Sequence, residues 1–296
     1  MRHESNEAVI CVTLVRYAEF RRLQVLRQEV NSAIMAMLAG SKLAMNTLQL
    51  TAGSTLRLSQ IFPRVAHIER FDLRADSAES ILDSAEEHLV VMALPYVMAL
   101  HEHYMLHCSE MLVSASLMSK SAFGKLTPKT MHERFANRAG VVFPVDSLEL
   151  FHLLRTMRNS LIHQGGTVGE ELEEARRSLS QSAEALWCRL AMGSPTACSL
   201  GGKLRMTQRD LIACLAVTRF LSERANAGLA AAIPVSRWTE VAVADAVAEG
   251  ILRTGNHAQR LRRLVGFVRM YYSAIQIPEE AVRAALDDIA EGAEPT

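Results

Sequence analysis

The sequence predicts an all-α protein, and two features carry that prediction. Apolar residues recur at intervals of three and four along most of the chain, which is the repeat of a helix with one buried face. Alanine and leucine are abundant while aromatic residues make up only 5% of the 296 residues, a composition that favours helices over sheets. A hydrophobic content of 49% is enough for a packed core. We therefore expect a helical bundle with additional N- and C-terminal helices.

The first third of the chain predicts two long helices. The apolar stripe of residues 6–38 predicts one helix that Gly40 ends, and the weaker periodicity of 41–75 predicts one or two short helices. A second long helix is expected from residue 76 or 77, which supplies the N-cap, to about 117, with Pro95 kinking or dividing it. Its longest apolar run is shorter than a bilayer span, so a buried helix is expected.

The rest of the chain predicts further helices separated by clear breaks. The expected elements are a connector with one small helix at 119–145, a helix capped by Asp146 or Ser147, and helices at 169–192, 207–233, 236–252, 256 onwards and 278 onwards. The stretch 193–202, rich in glycine, serine and proline, is the best linker. We therefore expect three domains: an N-terminal helical extension at 1–75, a central helical domain at 76–192 and a C-terminal helical domain at 203–296.

The net charge limits how the protein is expected to bind RNA, and the cysteines indicate its expected compartment. The formal net charge is zero, whereas a protein that wraps nucleic acid with its whole surface is basic, so any RNA is expected to bind a local patch or a cleft. The five cysteines are scattered without a Cys-x-x-Cys pair, which predicts buried reduced thiols in a cytoplasmic protein. No signal peptide and no membrane segment are expected.

Residues 151–166 hold the pattern around which the functional prediction is built. Leu150, Leu154 and Met157 follow the helical repeat, while polar residues including His152 and Arg155 fall on the other side. Two glycines at 165 and 166 predict the end of this helix, because glycine takes the left-handed conformation of a helix C-terminus. A packed helix is therefore expected to present an arginine and a histidine beside a loop.

Arg158, Asn159 and His163 form the pattern Arg-Asn-x-x-x-His, and no other histidine in the chain gives a match. The pattern resembles the signature of the HEPN superfamily, which comprises all-helical domains found in RNA-cutting toxins, antiphage proteins and CRISPR effectors. That family's motif is an arginine, four to six residues and a histidine, very often with asparagine directly after the arginine. The resemblance covers roughly residues 76–192 and implies a HEPN-like helical bundle.

The resemblance also implies an activity. It implies a homodimer in which two motif helices meet, and a metal-independent endoribonuclease that needs no cofactor and leaves 2′,3′-cyclic phosphate ends. Arg158 would stabilise charge, His163 would be the general acid or base, and Asn159 would hold the helix end or position His163. The implied setting is prokaryotic toxin–antitoxin or antiphage defence, with an RNA substrate and an antitoxin or defence-system protein as partner.

The motif has one departure from the family and one competing explanation. Some HEPN toxins carry a tyrosine two residues after the histidine that a partner nucleotidyltransferase modifies, but this chain has Gly165 there, so such silencing is not expected. The competing explanation is structural: Arg158 would pair with an acidic residue (Glu149, Glu170 or Glu171), and His163 would interact with the helix dipole. A non-catalytic helical subunit that binds RNA or protein in a defence complex is the alternative function.

A histidine-rich stretch at 101–107 offers further candidates. His103 and His107 lie one turn apart and would suit two metal ligands, but the spacing is not His-Glu-x-x-His and no third ligand is evident, so no metal is predicted. Exposed helix-surface histidines are the simpler interpretation. HEPN domains often add a polar residue from another helix, and Glu102 or a neighbouring histidine such as His103 is the candidate.

The C-terminal helices carry a weaker candidate for RNA contact. Arg260, Arg263 and Arg269 are interleaved with tyrosines from residue 256 onwards, and such a mixture grips phosphates and stacks on bases. A solvated helix face with core tyrosines is the competing interpretation.

Overall fold

The computed structural model describes residues 14–50, 55–71 and 73–292. Within these ranges every regular element is helical, with thirteen α-helices, two 3-10 turns and no strand. The prediction of an all-α protein is therefore confirmed. The helices are α1 (Ala18–Gln49), α2 (Leu58–Ile61), α3 (Ala75–Asp83), α4 (Ala85–Ser114), α5 (Lys120–Phe123), α6 (Met131–Ala139), α7 (Val145–His163), α8 (Glu170–Arg177), α9 (Gln181–Ala191), α10 (Gln208–Ala232), α11 (Val235–Ala248), α12 (His257–Tyr271) and α13 (Glu279–Gly292).

Two long helices differ from the sequence prediction, and each contains a glycine or a proline that does not end it. Helix α1 continues through Gly40 to Gln49, since one glycine costs only about 1 kcal/mol and good helix formers follow it. The second long helix begins as α3 at Ala75 with Arg74 at its N-cap, so residues 76 and 77 do not cap it. It is divided at Ser84, whereas α4 continues through Pro95. Residues 6–13 of the first predicted helix lie outside the described residues, and the prediction of helix at 14–17 is wrong because α1 begins at Ala18.

Three other predicted elements differ from those in the structure. Helix α7 begins at Val145 with Pro144 at its N-cap, so neither Asp146 nor Ser147 caps it. The single helix expected over 169–192 is two helices, α8 and α9, because Ser180 starts a new helix by accepting a hydrogen bond from the backbone N–H of Ala183. The predicted connector holds two short helices, α5 and α6, instead of one.

The chain divides by its contacts into two compact units, each made of separate stretches. Unit 1 consists of Met1–Gln24, Glu102–Phe143 and Phe220–Thr296, and unit 2 consists of Val25–His101 and Pro144–Arg219. The divisions fall inside α1, α4 and α10, so each of these helices gives residues to both units. The three-domain division expected from the sequence stays a prediction.

Unit 1 has a core of aromatic side chains. Tyr17 at the start of α1 packs on Tyr104 of α4 and on Trp238 of α11, with ring centroids 6.4 and 5.7 Å apart. Trp238 in turn meets Tyr272, and all four side chains are almost completely buried. Helices α11 and α12 both pack against α13. The backbone of Val15 is held at both its N–H and its C=O by the buried Asn226 amide, at 2.9 and 2.8 Å.

Unit 2 is organised around α7, which packs against α8 and α9. Leu150, Leu153, Leu154 and Met157 of α7 are fully buried, as is Trp187 of α9. Burying a leucine or methionine side chain contributes about 1.5–3 kcal/mol, so this helix is firmly held along its length. A smaller apolar cluster forms where Leu48 at the end of α1 meets Ala75 and Ala78 of α3.

Helix α4 is, among the described residues, the one helix long and apolar enough to cross a membrane by length and composition. The core helix of a soluble protein meets the same two criteria. Leu94, Met98 and Met105 of α4 have no exposed surface. The criteria are therefore weak evidence for a membrane span.

Two glycines with different backbone conformations predict opposite effects of the same substitution. Gly40 lies in the exposed interior of α1 with no atom within 4 Å of a Cβ built there, so Gly40→Ala is expected to raise the free energy of unfolding by about 1 kcal/mol. Gly166 has φ +81°, so Gly166→Ala is expected to lower it by about 1–2 kcal/mol. Urea unfolding of both variants measures this, and changes of the same sign would contradict it.

Candidate functional site

The residues of the Arg-Asn-x-x-x-His pattern lie in the last two turns of α7. Arg158 and Asn159 are half-buried, and His163 is the exposed last residue of the helix. On the opposite side of the same turns, Met157 and Ser160 are buried. The pattern is thus carried by a helix whose inner face is packed and whose outer face is open at the end.

The end of α7 is fixed by the two glycines, as the sequence predicted. Gly165 and Gly166 have φ of +60° and +81°, the left-handed conformation. The backbone N–H groups of Gln164 and Gly166 both donate to the carbonyl of Ser160, at 3.0 Å each. The Ser160 hydroxyl donates to the carbonyl of Thr167 at 2.7 Å. These bonds satisfy groups that a helix C-terminus otherwise leaves unpaired, and they hold the loop after His163 in one conformation.

The predicted linker is part of this arrangement. The backbone N–H of Val168 donates to the carbonyl of Gly202 at 2.8 Å, and that of Leu204 donates to the carbonyl of Gly166 at 2.8 Å. Thr167 and Lys203 form an isolated antiparallel bridge. Residues 193–202 lack helix, as expected, but their last glycines are hydrogen-bonded beside the end of α7.

Arg158 is hydrogen-bonded to Asn159, the residue that shares a face with His163. In an α-helix residues five apart point about 140° away from each other, whereas residues four apart share a face. Nη1 of Arg158 donates to Oδ1 of Asn159 at 3.2 Å, and Asn159 lies one turn before His163. This bond connects the arginine to the residue one turn before the histidine.

Arg158 forms no ion pair with any carboxylate in the described part of the chain, and its buried Nε has no hydrogen-bond partner there. The ion pair expected from the competing explanation belongs to Arg155, whose Nη2 lies 2.9 Å from Oε1 of Glu171. Glu149 instead accepts from the backbone N–H of Ser180 at 2.9 Å. Arg155 is thus held by an acid, while Arg158 keeps an uncompensated charge.

His163 accepts and donates no hydrogen bond within residues 14–50, 55–71 and 73–292, and its side chain is exposed. Exposure leaves both ring nitrogens accessible to a ligand. A histidine is the side chain best suited to proton transfer near neutral pH.

The histidine that α4 brings to α7 is His101. This residue is fully buried, and its ring lies 5.3 Å, centroid to centroid, from that of Phe151 on α7. Phe151 in turn meets the ring of half-buried His152 at 5.7 Å. Sequence reasoning allowed for a histidine near Glu102, and nothing in the local pattern singled out His101.

Glu102 and His103 belong to unit 1, whereas the Arg158/His163 pair belongs to unit 2. His103 is exposed, and its Nε2 lies 3.2 Å from Oε1 of Glu19. His107 stacks on Tyr17 at 5.9 Å, and burial lowers its pKa, which favours the neutral ring. In the described ranges no three or more histidine, cysteine, aspartate or glutamate side chains are grouped to hold a metal ion.

The arginines of α12 are largely engaged within the protein. Nη2 of Arg269 lies 3.2 Å from Oε2 of Glu279. Arg263 donates to the carbonyl and to the hydroxyl of Thr254. Arg260 is half-buried, and its Nε has no hydrogen-bond partner in the described part of the chain. Two of the three are therefore committed to neighbouring residues.

The four described cysteines are free, as the sequence predicted, but they are not all buried. Burial raises the pKa of Cys108 and of Cys214 to about 12, so both thiols stay protonated. Cys188 is exposed, which corrects the expectation of uniformly buried thiols. Cys11 lies outside the described residues.

Comparisons with models of protein families, with curated proteins and with solved structures found no match for this chain.

Proposed function

We propose that this protein is a metal-independent endoribonuclease of HEPN type whose reactive groups are Arg158 and His163, with Asn159 as a positioning residue. The observation that carries the proposal is the state of Arg158. Its guanidinium has no carboxylate partner among the described residues and donates to Asn159, one turn before the exposed His163. An arginine without an acidic partner and an exposed histidine at the same helix end supply the positive charge and the proton transfer that RNA cleavage without a metal requires.

The reaction assigns one task to each group. A general base removes the proton of the 2′-hydroxyl, O2′ bonds to phosphorus, the bond from phosphorus to O5′ breaks, and a general acid protonates the leaving O5′. The products are a 2′,3′-cyclic phosphate and a 5′-hydroxyl. His163 performs proton transfer. Arg158 stays charged and pairs its planar fork with the phosphate oxygens, which carry extra charge in the transition state.

A single histidine supplies only one of the two proton transfers at a time. The proposal therefore includes a homodimer in which two α7 ends share one cleft, so that one His163 acts as base and its counterpart as acid. Asn159 positions Arg158 rather than touching the reacting atoms. An RNA-cutting protein of this kind fits prokaryotic toxin–antitoxin or antiphage defence in the cytoplasm, with an antitoxin or defence protein as its regulator.

Incubation of the purified full chain with total RNA in excess EDTA tests the proposal. We expect cleavage that leaves 2′,3′-cyclic phosphate ends, detected because such ends block ligation until a phosphatase that opens them is added. The His163→Ala protein, prepared in parallel, controls for contaminating nucleases. No cleavage by the native chain, alone or with the proteins that co-purify with it, would contradict the nuclease and leave a non-catalytic subunit that binds RNA or protein.

A further inference from the structure

A second cluster of basic groups lies in unit 1, on α5 and α6 and the segment between them. Helices α5 and α6 and the turn before them form a cleft of about 280 Å³. Its lining residues are Met118, Ala122, Arg134, Asn137 and Arg138. The polar part of the lining is thus two guanidinium groups and an amide, with no acidic group. Such a lining suits an anion that accepts several hydrogen bonds.

The sequence around the cleft is strongly basic in a chain whose 32 basic residues balance 32 acidic ones. Residues 111–145 contain one carboxylate, Glu133, against five cations: Lys120, Lys125, Lys129, Arg134 and Arg138. None of the five forms an ion pair with any residue that the structure describes. Elsewhere arginines of short helices are paired, as Arg176 is with Glu184 at 2.6 Å. The positive charge at this cleft is therefore left uncompensated.

Helix α6 holds its two arginines in a fixed relation. Arg134 and Arg138 are four residues apart, so they lie on adjacent turns of one face, where like charges repel. The opposite face is anchored because Met131, Phe135 and Ala139 are buried. Gly140, with φ +63°, ends the helix in the left-handed conformation. A helix that carries two like charges on one face is stabilised when an anion binds to both of them.

We propose that this cleft binds the phosphodiester backbone of single-stranded RNA. Arg134 and Arg138 donate to phosphate oxygens, and the Asn137 amide adds a further donor. Its volume is roughly nine times the ~30 Å³ share of one water, which leaves room for a sugar beside the phosphate. Met118 and Ala122 supply apolar contact to that sugar. The three exposed lysines extend the positive surface, and a string of separated cations suits a polyanion better than a single small anion.

The choice of RNA as the ligand rests on the proposed nuclease function, whereas the binding of a phosphate chain to the cleft does not. The test therefore measures binding alone, with an RNA that cannot be cut. A fluorescein-labelled, fully 2′-O-methylated oligouridylate lacks the nucleophile of the cleavage reaction, and its binding to the full chain is measured by anisotropy at several salt concentrations. The variant Arg134→Gln/Arg138→Gln is expected to bind at least about tenfold more weakly, as expected for the loss of charge-assisted hydrogen bonds. The magnitude of the negative slope of log K against log salt is expected to decrease by about 1.4 in this variant. Two phosphate contacts are lost, and each contact on a single strand contributes about 0.7.

The matched control is Arg189→Gln/Arg253→Gln, which removes the same charge from two exposed arginines that have no ion pair in the described ranges and do not line the cleft. This control is expected to bind like the native chain. Equal weakening in both double variants, or no weakening in the cleft variant, would overturn the proposal. Binding of the same proteins to phosphatidylserine vesicles is measured in parallel. A cleft variant that loses binding to the vesicles but still binds the oligonucleotide would overturn the proposal too.

Two further variants keep the result interpretable. Asn137→Asp places a carboxylate at an exposed lining position, and it is expected to weaken binding even if the arginine variant fails to fold. Ile289→Ala, at an exposed apolar position of α13 that does not line the cleft, is expected to bind the uncleavable probe normally. A chain that binds through the cleft but never cuts RNA would thus refute the nuclease and leave the binding site standing.

Discussion

Arg158→Ala and His163→Ala are each expected to abolish most RNA cleavage in EDTA while leaving the helix content unchanged. Loss of the imidazole removes proton transfer, which is worth about 10²–10⁴-fold in rate. Loss of the guanidinium removes charge stabilisation of the phosphate, worth about 10²–10³-fold. His163 is exposed, Arg158 is half-buried, and neither side chain makes an ion pair in the described part of the chain, so both variants are expected to keep the fold. Single-turnover cleavage of a labelled oligoribonucleotide measures the rates.

Three variants on the same helix make this result specific. Ile162→Ala, next to His163, shortens an exposed apolar side chain that cannot transfer a proton and is expected to retain activity. Arg155→Ala removes the arginine that is held by Glu171, so its effect on rate is expected to be smaller than that of Arg158→Ala. Asn159→Ala is expected to lower the rate less than Arg158→Ala, because the charge remains and only its direction is lost. Equal losses in all five variants would indicate damage to the fold instead of catalysis.

The sequence predicted best the features that depend on neighbouring residues. The end of α7 at His163 followed from two adjacent glycines, whose left-handed backbone is a local property. The N-terminus of α10, expected at residue 207, also depends on neighbours: the Asp210 carboxylate accepts from the backbone N–H of Thr207, three residues earlier, at 2.8 Å. Apolar periodicity likewise predicted a helical chain.

The sequence predicted least well where distant residues decide the outcome. Gly40 and Pro95 lie within helices because the surrounding turns outweigh a single unfavourable residue. Glu171, the ion-pair partner of Arg155, lies sixteen residues away on the next helix. The periodicity of α7 therefore does not indicate whether Arg155 or Arg158 forms this ion pair. The contact between His101 and Phe151 depends on how α4 packs against α7, so the sequence alone did not indicate it. The cleft of α5 and α6 was missed because its lining residues form no motif and come together only through packing.

Asp245→Ala is expected to lower the free energy of unfolding by about 3–5 kcal/mol, because it leaves buried polar groups without their acceptor. The Asp245 side chain is 4% exposed and accepts from both terminal nitrogens of Arg21, at 2.9 and 3.0 Å. The Tyr272 hydroxyl also donates to it, at 2.6 Å. Burial and this carboxylate raise the pKa of Tyr272 above its usual value, so the phenol remains a donor. Urea unfolding at neutral pH measures the loss.

Glu249→Ala is the matched control, because the same guanidinium also bonds Glu249 at 2.8 Å, but that carboxylate is half exposed. Water replaces an exposed partner, so this variant is expected to cost about 1 kcal/mol or less. The double variant Arg21→Met/Asp245→Leu removes both buried charges at once and is expected to be more stable than Asp245→Ala. Similar losses in Asp245→Ala and Glu249→Ala would show that burial of the Asp245 carboxylate does not govern the stability of this cluster.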